Sequence, residues 1–304
     1  MRGAALLIAW AALQASAQTL WHAPGASGVA PPKPPYTFVR EDLSGTQPKL
    51  FARDAAGLNW NVKFGYEVHN ESFCWRVVEA CGYFAEPSFY VADGRFEGYR
   101  PLRRATPSIQ PDGHFTAARF QYRDPGLKFR DGRNWRWDRP PFAGTKELSG
   151  LKILIMLFSN WDNKDGRVGR GGPNTGEFDL HGQRLAAFTD WGSGMGKWGS
   201  AAGSNSNWNC ADFTAQTPEF VQGVEHGAVV FGWSGAINAG FKTGITTPHV
   251  AWLMQYLGKV TDDELRGWLK AAGATDSEAA CFTAALRNRI EQLRRVGGPR
   301  QHVP

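Results

Sequence analysis

The chain has 304 residues, 42% of them hydrophobic and 20% charged, with a formal net charge of +6, which suffices for one large or two small domains with real cores. Outside residues 100–104 and Arg294-Arg295 the Lys and Arg residues are scattered, and no basic stripe interleaves with the aromatics, which argues against a nucleic-acid partner. There is no Cys-x-x-Cys and no His-Glu-x-x-His, so the common zinc signatures are missing, and no segment is long and apolar enough to span a membrane.

Met1-Arg2, the apolar residues 4–12 and the small-x-small Ala15-Ser16-Ala17 read as a secretory signal peptide over 1–17. The expected location is therefore exported, periplasmic or extracellular. No cysteine follows the small residues, so a lipid anchor of the lipoprotein type is not supported. Residues 18–35, rich in Pro, Gly and Ala from Ala23 onward, read as a tether without packing.

Two strands, Thr37-Phe38-Val39-Arg40 and 49–53, flank Ser44-Gly45-Thr46, and 58–64 alternates apolar and polar; the simplest account is a three-stranded sheet. Asn70 is placed to cap a helix with Glu71 in its first turn, an apolar stripe through Phe73, Cys74, Val77, Val78 and Cys81, and Gly82 as its stop. Cys74 and Cys81 on that helix lie two turns apart, roughly 10 Å by helical rise, too far to bond; whether any of the four cysteines, including Cys210 and Cys281, forms a disulfide stays open. Glu67, His69 and Glu71 would share a face on a strand and could bind a metal there, but the apolar spacing that follows is helical. Residues 86–91 return as a strand ended by Ala92-Asp93-Gly94, and 98–141 read as an irregular Arg-, Pro- and aromatic-rich connection.

Leu148, Leu151, Ile155 and Phe158 recur at helical spacing, with Asp162 just beyond the helix end. After the Gly-rich residues 166–173, the segment 175–190 reads as a hairpin turning at His181-Gly182 and ending in Asp190-Trp191-Gly192. Thr261-Asp262-Asp263-Glu264 and Thr275-Asp276-Ser277-Glu278 are capping boxes, and with 249–257 they predict three C-terminal helices.

A strand lysine, a helix glutamate, an aspartate loop after a helix, an asparagine, a hairpin and a second aspartate follow in order, and phosphoryl transfer needs such groups in one cleft: a cation for phosphates, acidic and amide metal ligands, and a carboxylate to orient the attacking hydroxyl. Val62-Lys63, Glu71 (or Glu67), Ala80-Cys81-Gly82-Tyr83 with Glu86-Pro87, Asn160-Trp161-Asp162 and Asp190-Trp191-Gly192 together resemble the atypical protein-kinase-like superfamily, which includes the phosphatidylinositol, HipA-type, secretory-pathway and spore-coat kinases. The resemblance spans roughly residues 36–260 and implies a divergent, exported bacterial member. The fold it implies is a two-lobed α+β kinase-like fold, with a small N-terminal antiparallel sheet plus one helix (36–97), the connection 98–145, a larger, mainly helical C-terminal lobe (146–296) and a tail at 297–304.

By the same resemblance Lys63 would hold the phosphates of ATP or another nucleotide, Glu71 would pair with Lys63, Asp162 would orient or deprotonate the acceptor, and Asn174 and Asp190 would hold magnesium or manganese. The acceptor, protein or small molecule, is not readable. Two departures stand out: residues 166–173 separate Asp162 from Asn174, so either the loop is opened by an insertion or Asn163 or Asp165 is the ligand, and only Gly45 is available for a phosphate-cradling loop. The chain is thus a candidate phosphotransferase, with two alternatives: a non-catalytic, pseudokinase-like domain, or an exported binding module for glycan or peptide built on tryptophans such as those of Asn134-Trp135-Arg136-Trp137 and Asn207-Trp208-Asn209.

Overall fold

The computed structural model describes residues 18–25, 28–168, 172–199 and 204–297. The signal peptide expected at 1–17 and all but the first residue of the expected tail lie outside them. The fold is mixed α+β.

Strands β1 (Tyr36–Asp42), β2 (Lys49–Arg53), β3 (Asn59–Phe64), β4 (Ser88–Glu97) and β5 (His114–Tyr122) form a closed barrel in the order β1-β2-β3-β5-β4. Parallel pairing of Tyr36 with Phe96 and Thr37 with Glu97 closes it. Alternation drives this: Leu50, Ala52, Trp60, Val62 and Phe120 are buried inside, while the residues between them face outward. Three expectations are corrected. The sheet has five strands, not three. The stretch read as irregular supplies β5, whose alternation is hidden by the apolar Ala117-Ala118 pair beside Arg119. And β4 does not stop at Asp93-Gly94 but runs through it; a Cβ on Gly94 would lie 2.6 Å from Phe115 Cζ, so the glycine serves close packing rather than a turn.

Helix α1 (Val68–Ala80) packs against β4 and β5. Its cap position is Glu67, one turn earlier than expected, so Asn70 is not the cap but a buried residue of the first turn. Gly82, at φ +82°, follows the helix end as expected of a C-terminal stop. The segment expected to be an unpacked tether is partly bound: Thr19 pairs with the backbone of Arg184 and Ala186, and Trp21 Nε1 donates to Cys81 O at 2.7 Å.

Beyond the barrel, β6 (Leu127–Phe129), β7 (Thr175–Leu180) and β8 (Gln183–Phe188) make a second antiparallel sheet. The expected hairpin is present, with His181 and Gly182 both at positive φ in the two-residue turn. Helix α2 (Lys146–Leu157), capped by Thr145 Oγ1, is apolar nearly all round and accordingly buried. Unanticipated are α3 (Cys210–Gln216) and the hairpin of β9 (Val221–Glu225) and β10 (Ala228–Phe231). Helices α4 (Thr247–Leu257), α5 (Asp262–Ala271) and α6 (Asp276–Gly297) follow, and both capping boxes form: Glu264 and Glu278 accept from the backbone N–H of Thr261 and Thr275, each at 2.8 Å. Cys210 and Cys281 are disulfide-bonded, joining α3 to α6, while Cys74 and Cys81 are free and buried. No helix among the described residues is long and apolar enough to cross a membrane.

Candidate active site

The outer faces of β2, β3 and β5 line a cleft of about 260 Å³. Registration puts Lys49 opposite Lys63 and Lys63 opposite Arg119, and two residues further along Phe51 opposite Asn61 and Asn61 opposite Gln121. The far wall carries Asn174, Thr189 and Asp190. Sequence reasoning had only Lys63 on these strands. The missed signal is the run Arg119-Phe120-Gln121-Tyr122-Arg123, a period-two alternation of polar and aromatic residues.

Lys63 Nζ donates to Glu67 Oε2 at 2.8 Å and to Glu71 Oε1. The other oxygen of Glu71 lies 2.5 Å from Arg119 Nε, so one carboxylate bridges two cations. Burial alone would favour neutral Lys63, but Glu71, Asp190 and Glu67 outweigh it and hold the ammonium charged, above its ordinary range. Burial, reinforced by Asp190 and Glu71 against Lys63, pushes Glu67 up to about 7. Helical spacing brings Glu67 and Glu71 onto one face. His69 points elsewhere: its ring contacts Ala272 O and stacks on Trp208.

Asp190 joins this group. One carboxylate oxygen from each of Glu67, Glu71 and Asp190 lies within 4.8 Å of the others. Such hard oxygen donors suit magnesium or manganese, and an ion there would share the two glutamates with Lys63. The Asp190-Trp191-Gly192 corner is fixed by its neighbours. Trp191 is wedged edge-on against Phe158 and Phe188. Asp190 Oδ1 accepts from Gly192 N at 3.0 Å, and Asn70 Nδ2 donates to Gly192 O and Gly194 O at 2.6 and 2.7 Å. Asn70, expected as a cap, therefore ties α1 to this corner.

The polar residues after α2 separate by task. Asn160 Nδ2 donates to Asp190 O at 2.8 Å and its Oδ1 accepts from Asp162 N. The Asp162 carboxylate pairs with Lys164 Nζ at 2.9 Å. Burial raises the Asp162 pKa against the opposing pull of Lys164, and the Asp190 charge adds to the rise. Asn163 is spent on the backbone of Ile237, accepting from its N–H and donating to its carbonyl. Fully buried Asp165 is taken by Arg167 and by Trp137 N at 2.7 Å. Asn163 and Asp165 are thus structural, whereas Asn174 lines the cleft and its Nδ2 donates to Asp162 O at 2.6 Å. Beneath the loop, buried Arg289 of α6 donates to Leu157 O, Ser159 Oγ and Phe213 O. Ser159 stands at φ +50°, a conformation needing such support.

Among the described residues every tryptophan is buried or half-buried.

No family model and no curated protein matches the chain. Among solved structures it is similar to the golgi casein kinase, with 9% identity and a TM-score of 0.47, over 88% of this chain and 75% of that one. A second similar structure is the Golgi casein kinase with Mn/ADP bound, at 9% identity and a TM-score of 0.41 over the same shares.

Proposed function

We propose that this chain is an exported, two-lobed, kinase-like domain that transfers a phosphoryl group from a nucleotide to a hydroxyl-bearing acceptor in a metal-dependent reaction. The observation that carries the reading is convergence. Lys63 of β3, Glu71 of α1, Asn174 before β7 and Asp190 after β8 come from distant points in the chain yet line one cleft, and Asp162 after α2 adjoins it through its backbone carbonyl, which accepts from Asn174 Nδ2. A solvated surface lysine has no reason to meet Glu67, Glu71 and Asp190 in this way.

In this reading the lysine ammonium, kept charged by Glu71, holds the donor's phosphates and neutralises charge growing on the leaving oxygen. Asp162 accepts the proton of the attacking hydroxyl as its oxygen bonds to phosphorus and the bond to the leaving phosphate breaks. Lys164, at 2.9 Å from Asp162, adds positive charge beside the transferred group. Asp190, Glu67 and Asn174 would hold magnesium or manganese, which would supply positive charge to offset the negative charge of the phosphates. The Cys210–Cys281 disulfide supports an oxidising, extracytoplasmic location.

Incubation with labelled nucleotide, manganese and a panel of hydroxyl acceptors, including the protein itself, tests the activity. Asp162→Asn should lower transfer by two or more orders of magnitude while leaving nucleotide affinity within about threefold. Binding without transfer in the wild type would convert the reading to a pseudokinase-like domain, and transfer undiminished in Asp162→Asn would remove the aspartate's role.

A further inference from the structure

The cleft wall is layered. Lys49, Lys63 and Arg119 lie side by side on three adjacent strands. Strands sit about 4.8 Å apart, so the row spans about 10 Å, the reach of a di- or triphosphate. Like charges directly opposed across strands repel. Lys63 and Arg119 are balanced by Glu71, with Glu67 also on Lys63, but the nearest carboxylate of Lys49 is Asp42, at 3.7 Å. An anion laid along the row would relieve that repulsion.

About 7 Å further along the strands comes a row of different chemistry, Phe51, Asn61 and Gln121. Arg40 stacks on the Phe51 ring at 4.0 Å. Asn61, buried, spends an amide hydrogen on Asp42 Oδ2 at 3.1 Å and keeps its acceptor oxygen for other use. Among the described residues the Gln121 side chain makes no hydrogen bond, and it lines the cleft. Next to the phosphate row the wall therefore offers two carboxamides and one ring, not an aliphatic slot.

Resting on the phosphotransfer reading, we propose that the donor is a nucleoside triphosphate whose phosphates lie on the Lys49–Lys63–Arg119 row and whose base is read at its hydrogen-bonding edge by Asn61 and Gln121. An aliphatic slot would accept any flat ring of the right size. A buried carboxamide left unpaired by the wrong base edge imposes a cost, and this is how polar sites discriminate. Asn61 and Gln121 become specificity-determining residues, and Lys49 a second phosphate anchor.

The test is competition binding on the full chain with manganese, using ATP, GTP, UTP and inorganic tripolyphosphate as probes. Wild type should separate the three nucleotides by at least about tenfold. Gln121→Met, close in size, should compress that spread to within about threefold and leave tripolyphosphate affinity unchanged, whereas Lys49→Met should weaken all four probes by about tenfold. Asn61→Leu provides a second base-edge variant, read only if its melting profile stays cooperative. Equal discrimination in Gln121→Met and wild type overturns the assignment, as does a sugar phosphate that outcompetes every nucleotide. Failure of both tripolyphosphate and nucleotides to bind overturns the phosphotransfer reading itself and this proposal with it, whereas bound tripolyphosphate with no base preference overturns only the base-reading row.

Discussion

Gly192 shows how little room the site leaves. A Cβ there would lie 2.9 Å from both Glu67 Cβ and Glu71 Oε1, so the glycine is required by the approach of α1. Gly192→Ala should push Glu67 and Glu71 away from Asp190. We expect a stability loss of about 1–3 kcal/mol in urea titration, and metal-dependent nucleotide affinity reduced at least about tenfold in the fraction that folds. Native affinity in a folded Gly192→Ala protein would mean that these three carboxylates do not act together. Of the residues expected from spacing and likeness, Lys63, Glu71, Asn174 and Asp190 line one cleft, and Asp162 adjoins it through its backbone carbonyl. Arg119 and Lys49 were not readable. Their place depends on registration across strands, and β5 lies more than fifty residues beyond β3 in the chain. Asn163 and Asp165 stood as alternatives to Asn174 because proximity in sequence does not reveal which way a loop residue turns.

At the scale of elements, the loop between β1 and β2 borders the cleft through Ser44, without the run of glycines that backbone phosphate cradling favours. It is held by an interlock instead. Arg104 Nη1 donates to Leu43 O and Gly45 O, both at 3.0 Å, and Nη2 to Thr46 O; in return the Glu41 carboxylate accepts from the backbone N–H groups of Arg103, Arg104 and Ala105. The basic cluster at residues 100–104 thus contributes a loop clamp. Arg104→Ala should release the loop, costing about 1 kcal/mol because Arg104 is only half-buried, while weakening nucleotide binding several-fold and opening residues 43–48 to protease. Arg104→Lys should restore little, since one ammonium cannot reproduce a planar fork reaching three carbonyls. Unchanged protease resistance in Arg104→Ala would refute the clamp. Elements with a strong local signature were legible: the hairpin at His181-Gly182, α2 with its 3.6-residue period, and the two capping boxes. Those set by tertiary packing were not. The seven-residue α3 is too short to stand out by periodicity, and it is anchored by the bond from Cys210 to Cys281.

Across the whole molecule, the site joins parts of the chain that share little sequence neighbourhood. The barrel and α1 supply the cations and two carboxylates, the segment after β8 supplies Asp190, and the segment after α2 brings Asp162 beside Asn174. Two buried ties hold the second set. Asn70 reaches from α1 to the Gly192-Gly194 carbonyls, and Arg289 of α6 braces the end of α2 and Ser159. The disulfide closes 71 residues of chain between α3 and α6, which on the chain-entropy account contributes about 4 kcal/mol. It steadies the helix carrying Arg289, whose Nη2 also donates to Phe213 O of α3. These long-range ties could not be read from the sequence, because their partners lie far apart in the chain. The most direct measurement is calorimetric titration of the folded protein with ATP, with manganese and after its removal by chelation. Saturable binding that needs the metal, and that Lys63→Met and Asp190→Asn each weaken by about a hundredfold or more, is the predicted result. Binding that ignores the metal and both substitutions, or no binding in a protein that unfolds cooperatively, would contradict the account.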